Sequence, residues 1–140
     1  MMNQTLSALV EWYQTLTPES VSRAGEFYAP DARFKDPFND VRGLPAIERI
    51  FQHMFEQLTA PRFVVSDVCR GEASAMLCWE FSFMAGGVAY RLQGSSRLEF
   101  DPNGQVCSHV DYWDPAEALF MRVPVLGWVL KKLYARLAAT

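Results

Sequence analysis

The sequence predicts an α+β domain in which helices pack on one face of a strongly bent, mostly antiparallel sheet. Three observations carry this. Apolar residues recur at helical spacing as far as Leu58, the period switches to alternation from Pro61 onward, and turn signals divide the alternating region into hairpins. With 140 residues, 50% of them apolar, the chain fits one folded domain large enough to bury a core.

Leu6, Leu9, Val10, Tyr13 and Leu16 mark the first helix, and Thr17-Pro18-Glu19 closes it and opens a second over Ser20 to Tyr28. Residues 31–36 read as a short strand ending at Asp36, and Asn39 to Gly43 as a loop. Pro45 starts a third helix with the stripe Ile47, Ile50, Phe51, Met54, Phe55 and Leu58, leaving His53 off the stripe as a surface or pocket-rim residue. Four strands follow near 62–70, 74–84, 88–101 and 105–113, separated by Arg70-Gly71-Glu72, Ala85-Gly86-Gly87 and Asp101-Pro102-Asn103-Gly104. Gly94, in the middle of the third, predicts a bend or bulge. Residues 1–115 form the domain, and residues 116–140 a helical extension interrupted at Val123-Pro124. The second half of that extension, residues 124–137, is apolar beyond the need of one helix face and carries Lys131, Lys132 and Arg136. Three readings stay open for it: docking on its own domain or over a pocket mouth, a dimer contact, or a peripheral membrane contact.

Composition narrows the function classes. A net charge of −3 without a basic stripe points away from nucleic acid. Cys69, Cys78 and Cys107 are odd in number and far apart, matching neither a disulfide framework nor a metal site. The N-terminus lacks the pattern of a signal peptide and no run reaches membrane-span length, so a cytoplasmic location is expected. No glycine-rich phosphate loop follows a strand and no serine sits on a nucleophile turn, so neither a nucleotide cofactor, a metal nor a covalent mechanism is expected.

The residue that stands out is Asp36, in Tyr28-Ala29-Pro30-Asp31-Ala32-Arg33-Phe34-Lys35-Asp36-Pro37-Phe38. Pro37 holds it in extended geometry, which suits either a turn opener or a carboxylate aimed in a fixed direction. The helices, the Asp-Pro segment, the longer helix and the meander together resemble the cone-shaped nuclear transport factor 2-like fold over residues 5–115. Within it, the Asp36 segment followed by Gly43 is similar to the same stretch of ketosteroid isomerases, which implies that Asp36 is the catalytic base. In that family the base works with an oxyanion hole made of a tyrosine and a protonated aspartic acid. The resemblance puts Tyr13, or Trp12 one residue away, at the tyrosine's place, and Ser96 at the place of the aspartic acid. It also implies a homodimer paired through the open sheet face.

The last strand carries His109-Val110-Asp111-Tyr112-Trp113-Asp114, similar to the closing segment of limonene-epoxide hydrolases, whose first aspartate helps hold water. Their Arg-x-Asp pair has only Cys78-Trp79-Glu80 as a counterpart, which lacks the arginine. Polyketide cyclases of the same fold likewise use an acidic group in the cone. Alternation puts His109, Asp111 and Trp113 on one face, and Leu77, Trp79, Phe81 and Phe83 on one face of the second strand. If both faces are concave, an apolar cavity with two carboxylates results. The alternative is that Asp111 pairs with Arg91 or Arg97 and His109 fastens the sheet. The expected function is therefore acid–base isomerisation or cyclisation of a small hydrophobic carbonyl compound, with Asp36, Asp111 and Tyr13 catalytic. Trp12, Phe34, Phe55, Leu77, Trp79, Ser96, His109 and Trp113 are the expected substrate-binding residues. The competing reading is a carrier or interaction module without chemistry.

Overall fold

Helical periodicity at the N-terminus becomes α1 (Met2–Gln14), which buries Leu6, Leu9, Trp12 and Tyr13. The computed structural model describes residues 2–139, and Met1 and Thr140, the outer ends of the two expected segments, lie outside the described residues. After α1 the expected second helix is a 3-10 turn, Ser20–Glu26, and Tyr28 already belongs to a strand. Serines that bond locally, such as Ser22 to the Glu19 carbonyl, compete with α-helical bonding there.

Strand β1 (Tyr28–Lys35) is longer than expected, and the loop after it contains the short strand β2 (Asp40–Arg42). The cause of β2 is the turn at Asp36, where the Asp36 N–H donates to the Asn39 carbonyl at 2.9 Å and sends the chain back along β1. Arg33 then meets Asp40 across the pair, with Nη2 to Oδ2 at 2.9 Å. Gly43 lets the chain leave β2 for α2 (Leu44–Gln57) at a φ of 102°, a value that L side chains rarely adopt.

The meander follows as β3 (Thr59–Arg70), β4 (Ser74–Ala85), β5 (Val88–Phe100) and β6 (Val106–Tyr112). The six strands lie in the order β2-β1-β6-β5-β4-β3, antiparallel except where β1 runs parallel to β6. Register shifts in β3 between Val65 and Asp67, and at the β5–β6 pairing between Glu99 and Phe100, supply bend. Gly94 does not: β4 and β5 pair without a shift along their whole length. A Cβ on Gly94 would lie 2.7 and 2.9 Å from Cζ2 and Cζ3 of Trp79, so glycine is there to let the indole lie across the strand.

The curved sheet and the layer of α1 and α2 enclose the core, with Leu77, Trp79, Phe81 and Phe83 of β4 all turned inward as alternation predicts. Beyond β6 a short helix α3 (Pro115–Ala118) is capped by Asp114, whose Oδ1 accepts from the N–H groups of Ala116 and Glu117. A 3-10 turn (Phe120–Arg122) leads into α4 (Pro124–Leu137). Docking of α4 on its own domain is not what the structure shows, because it packs chiefly on the preceding turn and leaves most of its apolar side chains exposed.

Candidate active site

Sheet register builds the polar end of the site. Trp79 pairs with Gly94 across β4 and β5, Ser96 lies two residues further along β5 on the same face, and Ser96 pairs with Asp111 on β6. On the other side of β6, His109 pairs with Phe34 of β1. Four neighbouring strands thus bring Trp79, Ser96, Asp111, His109 and Phe34 together, although up to 77 positions separate them in sequence.

These side chains form one continuous hydrogen-bonded chain. Trp79 Nε1–H donates to Ser96 Oγ at 2.8 Å, and the Ser96 hydroxyl donates to Asp111 Oδ1. From the other direction His109 Nε2–H reaches the same Oδ1 at 2.7 Å. A carboxylate only accepts, so the imidazole proton belongs on Nε2 and Nδ1 accepts from the Tyr28 hydroxyl at 2.7 Å. The Tyr13 hydroxyl in turn donates to Tyr28 at 2.6 Å. Donation therefore converges on Asp111 from both ends of the chain. Neither Arg91 nor Arg97 pairs with it: Arg91 pairs with Glu80 and Arg97 with Glu99.

Burial stiffens this arrangement. His109 is 4% exposed, stacked on Tyr28 and 4.4 Å from the Phe34 ring centroid. Burial also pushes the Tyr13 and Tyr28 hydroxyls well above the usual phenol range, and the nearby Asp111 charge adds to it. Both phenols stay neutral hydrogen-bond donors at neutral pH.

The network forms one end of a cavity of about 280 Å³. Tyr13, Phe34, Asp36, Leu77, Trp79, Ser96, His109, Asp111 and Trp113, all anticipated in the sequence, line it. Apart from Asn39 and His53, the remaining wall is apolar and comes from α2 (Ile50, Phe51, Met54), Leu58 just after it, strands β3 to β5 (Phe63, Val65, Phe81, Phe83, Leu92), Phe38 and Leu119. Phe63 stacks on Phe81 with centroids 4.3 Å apart, which makes the far end flat-walled.

Two anticipated residues do not reach the cavity. Trp12 packs against Phe27 and Phe51 and donates Nε1–H to the Ser20 carbonyl at 2.9 Å. Successive helical residues point about 100° apart, and of the two buried neighbours Trp12 and Tyr13 it is Tyr13 that reaches the cavity. The same rotation turns Phe55 away from Met54 and onto the edge of the core. His53 sits exposed at the rim.

Asp36 reaches the cavity wall, but its carboxylate is engaged. Oδ1 accepts from Phe38 N–H at 2.8 Å and Asn39 N–H at 2.7 Å, and both oxygens lie 3.1 Å from Asn39 Nδ2. Its principal visible work is the turn that presents Phe38 at the mouth. Tyr28 is the residue that sequence reasoning missed, because assigning it to the end of a helix concealed its inward strand position.

No group of three or more His, Cys, Asp and Glu side chains among the described residues could hold a metal ion. No curated protein matches the sequence significantly. Solved structures do match in fold. A hypothetical protein from Catenulispora acidiphila with a ketosteroid isomerase-like fold, in complex with trimethylamine, is 13% identical with a TM-score of 0.70, covering 82% of this chain and 88% of that one. A putative SnoaL-like polyketide cyclase from Jannaschia sp. is 13% identical with a TM-score of 0.69, covering 80% and 86%. An LEH-like epoxide hydrolase from M. tuberculosis is 14% identical with a TM-score of 0.64, covering 79% and 80%. At these identities the likeness shows the nuclear transport factor 2-like fold, not the reaction. The family model for the SnoaL-like domain matches residues 9–109, a span running from α1 to the buried histidine of β6, and the chain belongs to that family.

Proposed function

We propose that this protein is a cofactor-independent acid–base enzyme of the isomerase or cyclase type, acting on a small apolar carbonyl compound with Asp111 rather than Asp36 as proton acceptor. One observation carries the reading. His109 and Ser96 both donate to Asp111 Oδ1, whereas Oδ2 accepts no hydrogen bond among the described residues, in a carboxylate that lines the cavity. A carboxylate anchored through one oxygen and free at the other, beside an apolar chamber, suits removal of a proton from the carbon next to a carbonyl.

The C–H electron pair then moves into the carbonyl to give an enolate. The Tyr13 hydroxyl meets the enolate oxygen by rotating off Tyr28, and its burial keeps it protonated for that purpose. The proton on Asp111 returns to another carbon in an isomerisation. In a cyclisation it goes to the alkoxide left when the enolate carbon closes on a second carbonyl. Either route balances without an oxidant or reductant.

The test is turnover of a panel of enones, polyketide esters and epoxides by Asp111→Asn and Asp36→Asn. Asparagine retains the side-chain oxygen that holds the Asp36 turn, so the second variant removes charge and little else. Asp111→Asn is expected to lose about 10²- to 10⁴-fold in kcat, and Asp36→Asn to stay within about tenfold of the parent, the range expected when no proton-transfer group is lost. Unchanged turnover in Asp111→Asn sinks the proposal. A loss confined to Asp36→Asn returns the base to that position. The apolar wall supports a second reading, a carrier that holds a hydrophobic ligand without converting it. Native mass spectrometry finding a co-purified lipid-like molecule, together with no turnover of any panel member, favours the carrier.

A further inference from the structure

The last 23 residues differ in charge from the rest of the chain. All 16 acidic residues lie at or before Glu117, whereas Arg122, Lys131, Lys132 and Arg136 follow it with no carboxylate among them. None of these four cations forms an ion pair among the described residues. Arg122 instead donates to the Ala89 carbonyl at 3.1 Å and lies 4.6 Å over the Tyr90 ring, which fastens the turn before α4 to β5.

Projected at 3.6 residues per turn, Val125, Val129, Leu133, Leu126 and Leu137 share one face of α4, with Arg136 entering it at the last turn, Lys132 at its edge beside Val125 and Lys131 opposite. That apolar face is open: Val125 is 76% and Leu137 77% exposed. Trp128 is 59% exposed between the two lysines, with Lys132 Nζ 4.3 Å over its ring. The helix has only 14 residues, and no helix among the described residues is long and apolar enough to cross a membrane.

We infer that α4 is a docking surface for an anionic lipid bilayer, on which it lies in the plane of the interface. An open apolar face flanked by unpaired cations and a tryptophan has the chemistry that seats a helix among headgroups, where anionic lipid adds attraction for each basic residue. The placement also orients the cavity. Phe38, at its rim, packs edge-on against Trp113 and near Phe120 of the turn that leads into α4. Leu119, the residue before that turn, is part of the cavity wall. One apolar strip therefore runs from the docking helix to the mouth, a route by which a lipophilic molecule passes from bilayer to cavity without crossing water. The inference does not depend on what Asp111 does.

Flotation of the full chain with vesicles tests it. The lipids are phosphatidylcholine alone and phosphatidylcholine mixed equally with phosphatidylglycerol, each at low and high salt. Binding is expected to the mixed vesicles only and to weaken with salt. The double variant Lys131→Gln/Lys132→Gln, whose surface changes leave the packed domain intact, is expected to bind roughly thirtyfold more weakly. A blue shift of the fluorescence lost on Trp128→Phe would accompany binding by the parent. Equal binding to both vesicle types, or binding unaffected by the glutamine pair, overturns the inference. So does an α4-dependent dimer in sedimentation without any affinity for the mixed vesicles, because a second copy would then cover the face.

Discussion

Tyr13 and Tyr28 show how burial sets the chemistry of single residues. Both hydroxyls are raised far above the ordinary phenol value, first by desolvation, with Asp111 nearby adding to the effect. Below about pH 10 the folded and unfolded chains both hold these protons, and the full stability is present. Above it the unfolded chain releases them while the folded chain keeps them, so stability falls as pH rises, by up to about 1.4 kcal/mol per pH unit for each group. Urea denaturation followed between pH 9 and 11 is expected to show this slope in the parent, and the Tyr13→Phe/Tyr28→Phe double variant is expected to flatten it. Equal slopes would mean that neither phenol is shielded from solvent. The same burial keeps Tyr13 a donor rather than a phenolate at the pH where Asp111 is to act.

At the scale of elements, the turn at Asp36 determines how β1 ends. Its carboxylate binds two backbone N–H groups and the Asn39 side chain, and the chain returns as β2 with Arg33 on Asp40. Removing the carboxylate in Asp36→Ala leaves those donors to water and is expected to cost about 1–2 kcal/mol, because bonds to a charged acceptor are worth more than neutral ones. Asp36→Asn should recover most of the loss. Chemical denaturation of the two variants checks this, and equal stability of alanine and parent would show that the turn forms without its side chain. Sequence reading recognised Asp-Pro as a turn opener or an aimed carboxylate, and in the structure the carboxylate holds the turn while Asp36 also lines the cavity. It missed β2 because three residues held by an edge pairing leave no period to detect.

At the scale of the whole molecule, the cavity of about 280 Å³ exists because bulged strands curl the sheet around the α2 face. That volume lies near the lower end of the roughly 300–1,000 Å³ usual for ligand sites, so the chamber suits one or two rings rather than four. Bicyclic enones are expected to raise Tm by several degrees at a hundredfold excess over Kd, as saturation linkage of about 2.7 kcal/mol requires. Four-ring steroids are expected to leave it unchanged, and an equal shift from both would show that the chamber opens further. The sequence by itself made legible the first helix, the helix over α2 and the four-stranded meander, the inward face of β4 and the placing of His109, Asp111 and Trp113 on one face of the last strand, because periodicity is a local property of the backbone. It also singled out Tyr13, Ser96 and Asp111, through a resemblance carried by order and spacing. What needed the folded chain was that donors converge on Asp111, that Tyr28 joins them, that Gly94 makes room for Trp79 instead of bending its strand, and that α4 leaves most of its apolar side chains exposed. Those outcomes depend on which side chains meet across strands: β1 pairs with β6 from the far end of the chain with no turn to set its register, and the packing of side chains between strands is not written in the period of any one of them.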